Sequence, residues 1–146
     1  MVAPKPPSGK RYFTVEQANA TLPLVRSIVR DITDLARDLR DRHERLSHLH
    51  PSERGGRSEA HQEELLQAQA DFERGQERME ELVEELRRLG IELKDYFIGL
   101  IGFPCWMDGR EVYLCWRMGE AEVGHWHEID AGFAGRQKLQ VPVGSK

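Results

Sequence analysis

A chain of 146 residues is long enough to bury one hydrophobic core and too short for two good ones. With 32 % charged, 39 % hydrophobic and only 8 % aromatic residues, it reads as a highly charged, helix-rich soluble protein rather than a disordered one. A net charge of −4 argues against nucleic acid as the main partner, because phosphate binding relies on a surplus of Lys and Arg.

The start, MVAPKPPSGKR, is basic and Pro-rich and lacks the apolar stretch of a secretory signal, so 1–12 are expected to be a flexible arm. A single domain is expected over 13–139, with 140–146 as a tail. The apolar run YFIGLIGFPCWM is too short for a membrane span, which takes about 20 residues. Cys105 and Cys115 do not make a disulfide framework, although a bond between them stays open, and the chain is expected to be cytoplasmic.

Thr14-Val15-Glu16-Gln17 fits a capping box, with a hydroxyl at the N-cap and an amide three residues on. Pro23 predicts that a short helix over 15–20 bends or restarts at Thr21. From Leu22 the apolar positions Leu22, Val25, Val29, Ile32, Ala36, Leu39, His43 and Leu46 alternate in steps of three and four, a coiled-coil seam. HPSERGGR interrupts it. Ser58 then caps a second helix whose seam is His61, Leu65, Ala68, Phe72, Gly75, Met79, Leu82, Leu86 and Leu89, with Gly90 as the stop.

Helices over 22–50 and 58–89 joined by a short loop form an antiparallel hairpin, each arm roughly 40 Å long. Folding about Arg54 places Phe72 near Ala36 and Gly75 near Ile32, large against small. Such a hairpin is marginal alone, so its base must pack on the C-terminal third, on another subunit, or on both. Val25, Ile28, Leu35, Leu66 and Val83 widen the apolar face, which predicts a homo-oligomer through the helices. A protein partner docked on the hairpin is the rival. Runs such as ERMEELVEELRR read as solvated faces.

After Gly90 the period falls to two. Ile91 to Asp95 alternates, Tyr96 to Phe103 is apolar, Pro104 stops it, and Asp108-Gly109 signals a turn. Glu111–Arg117 and Val123–Ile129 read as paired strands. The expected fold class is α+β: the helical hairpin over 22–89, then a small antiparallel sheet of two or three strands within about 91–130. The tail GFAGRQKLQVPVGSK is expected to wrap the sheet as a loop.

Several of these stretches carry a resemblance. Tyr12-Phe13-Thr14, Ala18-Asn19-Ala20-Thr21-Leu22-Pro23, Gly99-Leu100, Phe103-Pro104, Gly109 to Trp116, and Trp126-His127-Glu128 with Gly132-Phe133 and Gly135-Arg136-Gln137 resemble an uncharacterised bacterial family. That family is known only as domain of unknown function 2203. The resemblance runs from about residue 12 to 139 and is most specific in the last third. It implies a small cytoplasmic bacterial protein with a helical hairpin and a β element, and it brings no activity.

The chemistry-bearing candidates lie in GEAEVGHWHEID. On a strand, His125 and His127 project from one face and can chelate one divalent metal ion, zinc being favoured. Glu120, Glu122, Glu128, Asp130, Asp95 and Cys115 are the nearby further donors, with Glu120 and Glu128 preferred. An open position would let the ion activate water, Glu128 or Glu120 taking the proton. The rival reading has both histidines hydrogen-bonded to carboxylates with no metal. Gly119 suits a two-residue turn, which would set the histidines beside Leu114 and Trp116; the other register would set them beside Tyr113, Cys115 and Arg117. That other register would allow Cys115 as a nucleophile with a histidine base. Arg110, Arg117 and Arg136 could hold an anion, or Arg136 could tie the tail to the sheet. His43, His48, His50 and His61 gather near the hairpin tip, where they read mainly as polar breaks in the seam.

Overall fold

The computed structural model of the protein describes residues 5–6, 9–49 and 58–140. The expected loop HPSERGGR and the segment 141–146 lie outside the described residues. The architecture is α+β: α1 (Val15–Leu49) and α2 (Glu59–Arg88) pack together, followed by β1 (Glu92–Asp95), β2 (Leu100–Met107), β3 (Arg110–Arg117), β4 (His125–Glu128) and β5 (Gln137–Lys138). Among the described residues no helix is long and apolar enough to cross a membrane.

The helix ends follow local chemistry. Thr14 Oγ1 accepts from the Gln17 amide and Gln17 Oε1 accepts from the Thr14 amide, both at 3.0 Å, which is the reciprocal capping box. Ser58 accepts from the His61 amide at the start of α2. At its end Gly90, with φ +86°, lets its own N–H reach Arg87 O and the Ile91 N–H reach Leu86 O. That is a Schellman closure, with Ile91 and Leu86 both buried.

Two helix expectations are corrected. Pro23 does not break the helix, and α1 is continuous from Val15. Pro23 is exposed, and Ala18, Leu22 and Val25 anchor both flanks in the core, so packing holds the helix together across the missing bond. The hairpin register also differs by one heptad: Gly75 sits against Leu39 and Phe72 beside His43. A seam that repeats every seven residues cannot distinguish such slips. The base decides it, because Leu82 and Leu86 must reach the core built on the sheet.

That core joins Phe13, Leu22, Val25, Val29 and Ile32 to Ile101, Phe103, Val112, Leu114 and Trp116. The sheet is a five-stranded antiparallel meander in the order β1-β2-β3-β4-β5, larger than the two or three strands expected. β5 shows that the tail pairs with β4 rather than merely wrapping the sheet. Pro104 does not end β2, because past Gly102 no β1 residue pairs with it; instead Phe13 donates its N–H to Pro104 O at 2.7 Å. Asp108 and Gly109, with φ +52° and +77°, make the expected two-residue turn between Met107 and Arg110. The arm is held at its inner end, where Lys10 and Tyr12 both bond Glu111.

Candidate functional site

The β3–β4 pairing sets Cys115 opposite His125 and Tyr113 opposite His127. This is the register the turn chemistry disfavoured, and the loop between the strands explains it. Glu120 folds back to accept the Arg117 amide at 2.8 Å, and its carbonyl accepts the Trp116 indole N–H. Val123 is thereby free to turn into the core, where Asn19 accepts its N–H at 2.7 Å and donates to its carbonyl. Burying a valine and satisfying its backbone outweighs a tight turn.

His125, His127, Tyr113 and Cys115 therefore share the face of the sheet turned away from the helices. His127, 3 % exposed, donates its Nδ1 proton to the Glu128 carbonyl at 2.7 Å, which in the neutral ring leaves the lone pair on Nε2. Its ring tilts against Tyr113 with centroids 5.5 Å apart. The Tyr113 hydroxyl donates to Glu92, and Lys94 lies over its ring. Burial, then the Glu92 carboxylate, push that phenol well up from its ordinary value.

His125 has a buried Nδ1 with no hydrogen-bond partner, 3.6 Å from Glu120 Oε2. Glu120 is itself held by Arg136 in a bidentate pair at 2.7 and 3.0 Å. Burial works to raise the Glu120 carboxyl, but the hydrogen bonds from Arg136 and the Arg117 amide prevail and hold it below the usual range. Arg136 thus ties the tail to the β3–β4 loop. Cys115 is fully buried, and burial pushes its thiol up despite Arg136 4.0 Å away. A thiol so placed is a poor nucleophile. Cys105 belongs to the core on the other face, and both cysteines are free.

Of the expected donors, the structure brings Glu120 toward His125 and leaves Glu128 apart. Glu128 projects from the opposite face of β4, where Arg110 grips it at 2.6 and 2.9 Å. Asp95 caps a turn, and Glu122 and Asp130 are exposed. Among the described residues no three His, Cys, Asp or Glu side chains converge on one point. At the other end of the molecule His43 meets Phe72, while His61 stands at the start of α2, so these two do not pair. His48 is exposed, and His50 lies outside the described residues.

A second feature was hidden in the apolar run. Tyr96, Phe97 and Ile98 are not strand but turn, and they stand 45, 42 and 41 % exposed. The turn is stiff: Asp95 Oδ1 accepts from the amides of Phe97 and Ile98 at 2.8 and 3.1 Å. Gly99 closes it at φ +67°, wedged against Val29, Thr33 and Met118. Beside it runs an open groove of about 370 Å³ between α1 and α2, lined chiefly by Ala36, Leu39, Phe72, Met79, Tyr96 and Phe97. Arg40 lies over the Phe97 ring, 5.3 Å from its centre. The aspartate ahead of three bulky apolar residues and a glycine was the available signal.

With that geometry in view, the chain belongs to the family described as uncharacterized conserved protein DUF2203, which it matches over residues 11–139. It has no match among curated proteins and none among solved structures.

Proposed function

We propose that this DUF2203 member is a non-enzymatic interaction module that docks another polypeptide in the groove between α1 and α2, against the Tyr96-Phe97-Ile98 turn. The observation that carries this reading is an apolar turn held rigid in an exposed position beside an apolar groove. Apolar surface left in water is costly, and covering what remains of these three side chains contributes about 1 kcal/mol each. A preformed turn also spares the ordering entropy that binding otherwise costs.

The test compares wild type with a Tyr96→Ser, Phe97→Ser double variant in quantitative affinity capture from the source cells, after circular dichroism confirms that both are folded. A discrete species retained by wild type and lost from the variant is expected. An identical set on both, or none on either, refutes the reading.

His125 favours a second reading, a divalent metal site on the outer sheet face. Its buried Nδ1 lacks a partner, and His127 offers a lone pair on Nε2 from the same face. Zinc suits such donors. Glu120 would complete the set by sharing its Oε2 between the ion and Arg136, and Glu128, on the other face, is left out. Elemental analysis of the purified protein and of a His125→Ala, His127→Ala variant decides it. Stoichiometric metal lost in the variant supports the site; a metal-free wild type that added zinc does not stabilise rejects it.

A further inference from the structure

We infer that the occupant of the groove is an amphipathic helix with a basic flank, lying along α2; this rests on the interaction reading above. The groove runs between two antiparallel helices and is floored by side chains at helical spacing, Ala36, Leu39 and His43 on one wall and Phe72, Gln76 and Met79 on the other. A third helix laid on such a pair packs by ordinary ridge-and-groove rules.

Charge selects its chemistry. Each groove-side residue of α2 is followed by a glutamate: Phe72-Glu73, Gln76-Glu77, Met79-Glu80, and Val83-Glu84 as the row continues toward Tyr96. One residue is about 100° around a helix, so these carboxylates form the rim beside the apolar floor. Glu84 pairs with Arg87. Glu73, Glu77 and Glu80 have no ion pair among the described residues, although like charges at i,i+4 repel. The facing rim on α1 carries Arg40, already engaged with Phe97. An occupant with cations toward α2 therefore relieves the repulsion. A second copy of this chain laid with α2 against α2 would double it.

The probes are two labelled synthetic helices of about 18 residues, with leucine at i, i+3, i+4 and i+7 and either lysine or glutamate elsewhere. Binding to the full chain is followed by fluorescence anisotropy at physiological ionic strength. The leucine–lysine helix should bind at least about tenfold more tightly than the leucine–glutamate helix. Glu73→Lys, Glu77→Lys, Glu80→Lys, all on the exposed face, should reverse the preference, and Phe97→Ser should weaken the lysine helix about tenfold or more. Equal binding of both helices overturns the basic-flank inference, and if Phe97→Ser still abolishes it the groove reading stands. Lysine-helix binding indifferent to Phe97→Ser, or absent, overturns the inference. So does a sedimentation dimer abolished by Phe97→Ser, which assigns the groove to a second copy.

Discussion

Glu120 ties three parts of the outer sheet face together: the β3–β4 loop, Arg136 of the tail, and the environment of His125. Glu120→Gln keeps the shape but leaves a half-buried guanidinium without its counter-charge and with one hydrogen bond fewer, and should cost about 2–3 kcal/mol in urea unfolding at neutral pH. Because the folded carboxyl is held below its unfolded value, its contribution is complete above the unfolded pKa and disappears as pH falls through the folded one. The gap between wild type and variant should therefore narrow in acid; a gap constant from pH 7 downward would contradict the pairing. Gly99 and Gly119 both have positive φ, but a Cβ at Gly99 would meet Val29 at 2.8 Å while one at Gly119 meets nothing. Gly99→Ala is thus expected to cost about 2–4 kcal/mol and Gly119→Ala about 1–2, the second being backbone strain alone. Equal losses in the same assay would contradict this.

Among the elements, α1 carries a defect that packing overrides. Pro23 removes one helix hydrogen bond on the solvent side, and the apolar face from Ala18 to Ile32 supplies more than the bond would have. Pro23→Ala should raise stability by about 1–3 kcal/mol, read as a higher melting temperature. A lower one would mean that the proline itself is packed in a way its exposure does not suggest. Of the two edge strands, β1 (Glu92–Asp95) falls in the stretch whose alternation is legible, whereas β5, only Gln137–Lys138, is polar and too short for alternation to register.

The whole molecule is stabilised unevenly. Its buried cluster occupies the sheet and the adjoining hairpin base, whereas farther out Leu46, Leu65, Ala68 and Phe72 are only half-buried. Native-state hydrogen exchange should show amides of 43–48 and 61–70 opening at least about a hundredfold more readily than those of 25–32 and 82–86. Uniform protection along both helices would mean that another surface covers the outer hairpin. The groove lies at the boundary between these regions, rigid on the sheet side and open on the helix side.

Local chemistry determined much of this protein: the capping box at Thr14, the Ser58 cap, the Gly90 stop, the Asp108-Gly109 turn and both helices of the hairpin follow from neighbours in the chain. The α+β class follows from the change of period at Gly90. Tertiary structure decided what periodicity leaves degenerate. A seven-residue repeat cannot choose between heptad registers, and a two-residue repeat cannot say which face of β4 meets which face of β3. Those choices rested on long-range terms, the burial of Leu82 and Leu86 in one case and the Asn19–Val123 bonds with the Glu120 loop in the other. The same holds for the surface: Tyr96 to Phe103 is one apolar run in sequence, and only Asp95 and the tight seat of Gly99 turn its first three residues outward.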